Sequence, residues 1–494
     1  MMKYQSTRGS KQHLSSAQAI IRGIAEDKGL YVPEEIPALP FALTDLAGKT
    51  YQEVAFHIIK AFFDDYTDEE LHHCVDGAYD SKFDAKDIVP VVKAGDGFFL
   101  ELYHGRTAAF KDMALSILPY LMTTALHKEK EEKKIVILTA TSGDTGKAAL
   151  EGFADVPGTE IIVFYPNQGV SLVQERQMTT QEGENTHVYA IDGNFDDAQA
   201  GVKKIFNDKK FAKELAAMNC KLSSANSINI GRLVPQVAYY VYGYGKLVEQ
   251  GTIKAGDPIN VVVPTGNFGN ILAAYYAGRM GLPINRYICA SNENNVLTDF
   301  INTGVYDLNR KFFLTNSPSM DILISSNLER LLFHLSGNDG DMVRDLMDRM
   351  EKEKSYEVTP GMRLLMASFY GGCADMEATG ETIGKMYREN GYLMDTHTAV
   401  AYRVYEEYRA ETGDTMPALI ASTASAYKFA DSVADAIGIG RGDDGFASVQ
   451  AILKATGVPI PSGLLGLEDK PILHNNVVKA IHMDDAVKTA LSRR

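Results

Sequence analysis

Short apolar runs alternate with amphipathic, helix-forming stretches from residue 88 onwards. Five of these runs have the length and composition of buried strands: 135–138, 161–164, 188–191, 259–263 and 287–290. Helical patterns follow most of them, so the sequence predicts an α/β fold with mostly parallel strands. In such folds, ligands bind beyond the carboxyl ends of the strands, where loops lead into helices.

The first part of the chain has a different character. Its helical patterns are separated by a turn-rich connection with three prolines, and an acidic stretch follows them. We expect a separate N-terminal domain here, of helical or α+β structure. After it we expect a catalytic domain that contains a smaller inserted subdomain, and then a C-terminal segment packed on the catalytic domain. The predicted boundaries of these four units are 1–92, 93–440, about 112–230, and 441–494.

The charge and composition of the chain indicate which kinds of binding partner it can have. The 494 residues include 49 basic and 64 acidic side chains, which gives a formal net charge of −15. This excess disfavours nucleic acid and anionic membrane surfaces, although a small anion responds to the local field of a pocket. The four cysteines are widely spaced, and no apolar run approaches the ~20 residues that span a bilayer. We expect a cytoplasmic protein, monomeric or homodimeric, without a metal site.

Lys111 is the first candidate for chemistry. It lies within the segment 104–112, directly ahead of a helical stretch over 113–118. The positive end of a helix dipole and an apolar neighbourhood both favour the neutral amine. The neutral amine is the form that bonds covalently to a carbonyl cofactor. Taken alone, Lys111 is also compatible with an exposed lysine in a first helical turn.

The loop at 139–147 joins a predicted strand to a helix and is a candidate anion site. Its small residues and hydroxyls suit a carboxylate or a phosphate, which the backbone N–H groups of such a loop also bind. It is not a P-loop, because Gly146-Lys147 is followed by Ala148 where Ser or Thr is required. Its candidate residues are Thr141, Ser142, Gly143, Asp144 and Thr145.

A second candidate anion site follows the strand run 259–263. Its two glycines allow a phosphate to approach the backbone at the N-terminus of a helix predicted over 271–278. The glycine spacing is not that of a dinucleotide fingerprint, and no acidic residue stands at the distance that a ribose needs. Each loop is also compatible with an ordinary tight turn. The candidate residues here are Gly266, Asn267, Phe268, Gly269 and Asn270.

A third cluster lies at 223–232, where Asn226, Asn229 and Arg232 recur at a spacing of three. If this stretch is helical, all three side chains lie on one face. Arginine suits planar recognition of phosphate, and the amides can supply further donors. The alternative is a helix cap followed by an exposed arginine.

Considered together, these segments resemble the threonine synthase family, pyridoxal-phosphate enzymes of the tryptophan-synthase-β-like type (fold type II). The resemblance covers nearly the whole chain. It implies two open α/β sheet domains with the active site between them, an additional N-terminal domain, and pyridoxal 5'-phosphate as cofactor. The matching segments are 4–9, 29–33, 104–112, 139–146, 224–229, 266–270, 317–322 and 329–331.

The resemblance also implies roles for the candidates. Lys111 would bond to the cofactor and then carry protons, while residues 266–270 would hold the cofactor phosphate. Thr423 would face the pyridine nitrogen, and a hydroxyl there leaves that nitrogen largely unprotonated. Residues 141–145 would hold the substrate carboxylate. The substrate phosphate would be held by Asn226, Asn229 and Arg232. The implied reaction converts O-phospho-L-homoserine and water to L-threonine and phosphate.

Two positions depart from the pattern of many relatives. Asp144 stands where they have Asn, and an ionised Asp144 cannot donate a hydrogen bond to the phenolic oxygen of the cofactor. The partner of that oxygen is therefore open. Ser425 stands near a position that is often His in relatives, which leaves the surroundings of the ring nitrogen open as well.

Two other functions stay open at this point. A related lyase on the same scaffold would release phosphate and form a 2-keto acid in place of threonine. A non-catalytic anion-binding protein would bind no cofactor and would be colourless when purified. The combination of Lys111 with two anion-binding loops favours an enzyme.

Overall fold

The computed structural model describes residues 1–141, 143–167 and 170–492, and its architecture is α/β. All five apolar runs that the sequence predicts as strands lie within strands. The chain forms two large sheets, two short strand pairs and flanking helices. No helix in the described part of the chain is both long and apolar enough to cross a membrane.

The N-terminal unit is a small α+β structure. Its helices are preceded by the N-cap residues Ser15, Thr50 and Thr67, and each of these side chains accepts a hydrogen bond from the N–H of the third residue of its helix in a capping box. Two short antiparallel strands tie the chain start to the connection between the first two helices. The elements are β1 (Tyr4–Ser6), α1 (Ser16–Arg22), β2 (Tyr31–Pro33), α2 (Tyr51–Phe62) and α3 (Asp68–Ala78).

The chain next starts the larger sheet and then builds most of the smaller one. A hairpin and two helices come first: β3 (Val91–Ala94), β4 (Gly97–Glu101), α4 (Asp112–Leu115) and α5 (Leu118–Glu129). The smaller sheet follows as β5 (Lys134–Ala140), α6 (Asp144–Phe153), β6 (Thr159–Pro166), α7 (Leu172–Thr179), β7 (Thr186–Ile191), α8 (Phe195–Asn207), α9 (Lys209–Ala217) and β8 (Cys220–Ser223).

A long buried helix then returns the chain to the larger sheet. The elements up to the next strand pair are α10 (Ile230–Glu249), β9 (Ile259–Pro264), α11 (Gly269–Met280), β10 (Ile284–Ser291), α12 (Val296–Thr303), β11 (Val305–Asp307), α13 (Leu328–Leu335), α14 (Gly340–Glu353) and β12 (Ser355–Glu357). The remaining ones are α15 (Pro360–Leu365), β13 (Phe369–Cys373), α16 (Met376–Asn390), α17 (Thr396–Thr412), β14 (Ala418–Ser422), α18 (Ala430–Ala436), α19 (Gly445–Thr456), β15 (Asn476–Val478) and α20 (Met483–Ser492).

The larger sheet has the strand order β13-β10-β9-β14-β4-β3, and only β3, at one edge, is antiparallel. The smaller sheet has the order β15-β7-β6-β5-β8, and all of its strands are parallel. β5 and β6 run side by side with Ile137 opposite Ile161. β15 comes from the C-terminal segment, which thereby completes the smaller sheet.

The main hydrophobic core is formed by the sheets and the helices that pack on them. It includes almost all of α10, whose residues are buried on every side, together with apolar side chains from α2, α5 and α11. Such all-round burial is typical of a helix at the centre of a large protein. The loops after β4, β5, β9 and β14 leave the carboxyl ends of their strands and carry most of the candidate functional residues.

We expect Gly152→Ala to destabilise the protein. A Cβ atom at Gly152, within α6, would lie 2.2 Å from the carbonyl oxygen of Leu115, so the backbone must shift. Overpacking of this kind costs about 1–3 kcal/mol. Gly380→Ala, in the interior of α16, is a matched control because, apart from the backbone of its own helix, no atom of the described residues lies within 4 Å of the added Cβ. That variant should gain about 0.5–1 kcal/mol from helix propensity. Urea unfolding measures both, and equal stabilities would contradict the packing argument.

Candidate active site

The backbone around Lys111 is joined to the loop that follows β14. Phe110 N–H donates to the Thr423 carbonyl at 2.8 Å, and Ser425 N–H donates to the Ala108 carbonyl at 3.0 Å. Ala108 has a φ of 55°, a left-handed conformation that is unfavourable for a residue with a Cβ. Local strain of this kind collects at functional sites. These contacts hold Lys111 between two neighbouring strands of the larger sheet.

The helix after Lys111 is shorter than the sequence indicates. The predicted helical stretch over 113–118 is confirmed at 113–115 and at Leu118 but is interrupted at 116–117, because α4 is a single turn and α5 starts anew at Leu118. Pro119 gives the reason: it has no N–H to donate to the Leu115 carbonyl four residues earlier. A one-turn helix has only a weak dipole, so the helix end contributes little to the chemistry of Lys111.

Burial is the main influence on the amine of Lys111. It lowers the pKa of Lys111 to about 8, the nearby Asp144 carboxylate opposes this, and the positive charges of Lys428 and Arg232 add to it. The Nζ atom lies 3.4 Å from Ser319 Oγ and 3.8 Å from Asp144 Oδ2. About half of such amines are neutral at pH 8, which is the state that a covalent bond to a carbonyl requires.

Asp144 begins α6 and is surrounded by donors. Its Oδ1 accepts from Lys428 Nζ at 2.8 Å and from Gln174 Nε2 at 2.8 Å, and its Oδ2 accepts from Ser319 Oγ at 3.3 Å. Burial acts to raise the pKa of Asp144, but the charges of Lys428 and Lys111 outweigh it and hold that pKa well below its usual range. Asp144 is therefore ionised and accepts hydrogen bonds only.

Two residues of this cluster escape the sequence patterns. Lys428 and Gln174 belong to no motif with a recognisable spacing, whereas Ser319 lies in the matching segment 317–322, although no role was assigned to it. Lys428 is fully buried, which is rare for lysine. The only sequence signal is that Lys428 closely follows Thr423, in a loop that the resemblance already assigns to the site.

The loop between β5 and α6 is closed by its own hydrogen bonds. Thr141 Oγ1 accepts from Gly143 N–H at 3.0 Å and from Gly146 N–H at 2.9 Å. Gly143 has a φ of 136°, and a Cβ there would lie 2.7 Å from the Gln174 side chain, so only glycine fits. Thr145 is half-buried, and Ser142 lies outside the described residues. The role of this loop in holding a substrate carboxylate stays a prediction.

The loop after β9 leads into the N-terminus of α11. Asn327 holds its backbone, since the N–H and Nδ2 of Asn327 donate to the Asn267 carbonyl at 3.1 and 3.0 Å. Phe268 is the N-cap of the helix, with a φ of 64° in the left-handed region, and no side chain in the described part of the chain caps this helix end. The first N–H groups of a helix are a binding site for anions when no cap occupies them.

The side-chain amide of Asn270, in the first turn of α11, has hydrogen-bond partners for its oxygen but not for its nitrogen among the described residues. Its Oδ1 accepts from the hydroxyls of Tyr239, at 2.7 Å, and Tyr240. Among the described residues, Asn270 Nδ2 is one of the few buried polar atoms without a partner. A buried donor without a partner costs about 1–3 kcal/mol, which a bound acceptor would recover.

The third cluster is not a single helical face. α10 begins at Ile230, Asn229 is its N-cap, and Asn226 precedes it in a turn. The Nδ2 of Asn229 donates to the carbonyls of Ile20 and Ser224 at 2.9 and 3.2 Å, so both of its hydrogens are engaged. The predicted contacts of Asn226 and Asn229 with a phosphate stay predictions, and this geometry does not favour the one assigned to Asn229.

Arg232, in the first turn of α10, is buried. Its Nη1 donates to the Ala225 carbonyl at 2.6 Å, and its Nε is a second buried donor without a partner in the described part of the chain. Burial lowers the pKa of Arg232 to about 10, so the guanidinium remains charged at neutral pH. A buried cation with a free donor suits an anionic ligand.

Thr423 is buried directly after β14, and its N–H donates to Thr398 Oγ1 at 3.3 Å. A buried pair close by fixes Ser319: His397 Nε2 accepts from Ser319 N–H at 3.1 Å, and His397 Nδ1 lies 3.0 Å from Asp395 Oδ1. An accepting Nε2 requires the proton of His397 on Nδ1, where Asp395 accepts it. His397 and Asp395 are further residues that no sequence pattern indicated.

Together these groups match the donor set that pyridoxal phosphate needs. Lys111 supplies an amine of lowered pKa for the carbonyl. The free helix end at Gly269 and the unpartnered Asn270 amide suit the phosphate, and Thr423 supplies a hydroxyl. Among the described residues no group of three or more His, Cys, Asp or Glu side chains could hold a metal ion.

Family models match the chain in three consecutive parts. Residues 3–79 match the threonine synthase N terminus, residues 93–423 match the pyridoxal-phosphate dependent enzymes, and residues 398–489 match the C-terminal part of threonine synthase. The second model alone covers more than half of the chain. The three models follow the order that the sequence resemblance implies.

Individual relatives agree with the family models. Human threonine synthase-like 1 is 41% identical over 437 residues, which are 86% of this chain and 58% of that protein, so this chain spans little more than half of that relative. Threonine synthase of Pseudomonas aeruginosa is 38% identical over 449 residues, 89% of this chain and 91% of that protein. A crystal structure of PLP-bound threonine synthase from Brucella melitensis has a TM-score of 0.88 and 36% identity, with 100% of both chains covered.

Two glycine variants test the loop after β9. In Gly269→Ala the new Cβ lies 3.5 Å from Asn327 Nδ2, an ordinary contact, but it occupies the helix end that a phosphate approaches. We expect an unchanged melting temperature and about tenfold weaker binding of pyridoxal phosphate, or ~1.4 kcal/mol. In Gly266→Ala the Cβ lies 2.4 Å from the Ser319 carbonyl oxygen, so both stability and binding should fall. Equilibrium dialysis and thermal unfolding measure these effects. Wild-type affinity in Gly269→Ala would mean that the loop is only a turn.

Proposed function

This chain belongs to the threonine synthase family of pyridoxal-phosphate-dependent enzymes, and we propose that it converts O-phospho-L-homoserine and water to L-threonine and phosphate. One observation carries the proposal. The Lys111 amine is largely shielded from solvent and lies close enough to Arg232 for that charge to act on its pKa, and two buried donors on different helices, Asn270 Nδ2 and Arg232 Nε, have no partner among the described residues. A cofactor phosphate and a substrate phosphate would need two such donors.

The loop 266–270 and the N-terminus of α11 would hold the phosphate of pyridoxal phosphate, with Asn270 Nδ2 as an additional donor. Thr423 would face the ring nitrogen. When bound, the cofactor would supply stabilisation of the negative charge that proton removal leaves on the substrate. Asp144 is ionised and cannot donate to the phenolic oxygen, so a donor other than Asp144 has to serve that oxygen.

Arg232 would bind the substrate phosphate. Its guanidinium keeps its charge, and its buried Nε has no hydrogen-bond partner among the residues that the structure describes. Charge-assisted contacts of arginine with phosphate are among the strongest hydrogen bonds in proteins. Asn226, half-buried in the turn before α10, would be a further donor, whereas Asn229 is occupied by backbone carbonyls. The loop 141–145 would take the substrate carboxylate.

Lys111 would move the protons. Its Nζ would first take a proton from Cα of the substrate and then one from Cβ, after which phosphate leaves from Cγ. Cγ then gains a proton to become the methyl group, water adds at Cβ, and Lys111 returns a proton to Cα. A base works best with a pKa near the working pH, and the lowered pKa of Lys111, about 8, meets that condition.

The proposed function also bears on the binding partners, the cellular compartment and the oligomeric state. Substrate and product are small molecules, and the net charge of −15 disfavours nucleic acid and anionic membranes as partners. We propose that the protein works in the cytoplasm as a monomer or homodimer. The predicted domain boundaries belong to the proposal as well.

Replacement of Lys111 tests the cofactor assignment. Borohydride reduction of the wild-type protein with pyridoxal phosphate should attach the cofactor permanently to Lys111, as peptide mass spectrometry detects. Lys111→Ala should lose this attachment, and turnover should fall by at least about 10³-fold because the proton carrier is gone. Lys147→Ala, a buried lysine in α6, is the matched control and should still be labelled at Lys111. Wild-type activity in Lys111→Ala would refute the assignment.

The product distinguishes a synthase from a lyase that forms a 2-keto acid. In ¹⁸O-labelled water the protein should convert O-phospho-L-homoserine to threonine with one label in its hydroxyl group, because the new oxygen comes from the solvent. Phosphate should gain no label, because the bond between Cγ and oxygen breaks. Mainly 2-oxobutanoate would contradict the synthase assignment but not the cofactor. Labelled phosphate would contradict both, since it requires attack at phosphorus.

A further inference from the structure

A fully buried lysine, Lys428, accompanies the active-site pair of Lys111 and Asp144. Its ammonium group has three hydrogens and three acceptors: Asp144 Oδ1 at 2.8 Å, the Thr107 carbonyl at 2.8 Å and Gln177 Oε1 at 3.1 Å. Every donor of Lys428 is therefore used by the protein. A group held in this way cannot serve as a mobile base, so its effect must be exerted through its neighbours.

The two oxygens of Asp144 face different cations. Oδ1 receives Lys428 and Gln174, whereas Oδ2 receives the Ser319 hydroxyl and lies 3.8 Å from Lys111 Nζ, beyond direct hydrogen-bond distance. Lys428 follows β14 of the larger sheet, and Asp144 starts α6 beside the smaller sheet. The ion pair of Lys428 and Asp144 therefore joins the two sheets at the site. Asp144 lies closer to Lys428, at 2.8 Å, than to Lys111, at 3.8 Å.

We propose that Lys428 is a positioning residue, which binds and neutralises Asp144 so that this carboxylate does not capture Lys111 in a tight ion pair. The proposal rests on the proposed role of Lys111 as the cofactor-binding lysine. It assigns Lys428 no contact with substrate or cofactor. Its consequence is that the amine of Lys111 gives up its proton more readily than it would beside an uncompensated Asp144.

The charges that face Lys111 support this division of roles. Two carboxylates, Asp144 and Asp112, act to raise the pKa of Lys111, and two cations, Lys428 and Arg232, act with burial to lower it. Removal of Lys428 takes away one repulsive cation and unmasks Asp144, so Lys111 should hold its proton more tightly. Removal of the charge on Asp144 leaves the two cations opposed only by Asp112, so Lys111 should lose its proton more readily.

Titration of Lys111 in the cofactor-free full-length protein tests the proposal without any turnover. The protein is labelled with a trace of acetic anhydride between pH 6 and 11, and acetylation of Lys111 is quantified by peptide mass spectrometry. Wild type should show a midpoint near the Lys111 pKa of about 8. Lys428→Met should move the midpoint upward by about one unit, and Asp144→Asn should move it downward by about one unit or more. The double variant should lie between them.

Lys147→Met is the matched control. Like Lys428, Lys147 is a buried lysine in an ion pair, but it lies in α6 and its partner is Glu151, at 3.0 Å. Its Lys111 midpoint should equal that of wild type. If Lys428→Met fails to fold, as thermal unfolding would reveal, Lys428→Gln, which removes the charge but keeps a hydrogen-bond donor for Asp144, should show the same upward shift and decides. Unshifted midpoints in the folded variants, or an equal shift in Lys147→Met, would overturn the proposal. Because no product is measured, these outcomes are independent of the ¹⁸O experiment.

Discussion

Two lysine amines, that of the partly buried Lys111 and that of the fully buried Lys428, face the buried carboxylate of Asp144 at the junction of the two sheets. Moving such charges out of water is expensive, and only good geometry with all donors satisfied offsets that cost. Lys428 and Asp144 meet this requirement through contacts with Gln174, Gln177 and the backbone. Because the partners come from both sheets, the placement of the site depends on correct packing of the sheets.

The N-terminal unit contributes to the site indirectly. Arg330 of α13 is completely buried and donates to the Tyr31 carbonyl at 2.9 Å and to the Ile228 carbonyl at 2.5 Å. It also binds the side chain of Asn327, which holds the loop after β9. One arginine thus connects the N-terminal unit, the turn before α10 and the candidate phosphate loop. Loss of Arg330 would leave several buried carbonyls unsatisfied at once.

Hydrophobic patterns in the sequence predicted the secondary structure where it depends only on neighbouring residues. Buried parallel strands are continuous apolar runs, so all five predicted strands lie within strands of the structure. At 113–118 the same reasoning was right for 113–115 and Leu118 but missed the interruption at 116–117, which Pro119 causes in the preceding turn. At 223–232 a spacing of three suggested a helix, but Asn229 caps the helix and uses its amide on backbone carbonyls.

The amino-acid sequence was sufficient for the α/β class, for the loops at the carboxyl ends of strands, and for Lys111 as a candidate, because hydrophobic period and motif order are local properties. It also indicated that an apolar neighbourhood favours the neutral amine of Lys111, which the burial of this residue confirms, but it did not indicate Lys428, Gln174 or His397. These features arise from contacts between residues far apart in the chain, such as Lys428 with Asp144. The charge state of a buried group depends on which groups surround it in space, and folding brings those groups together.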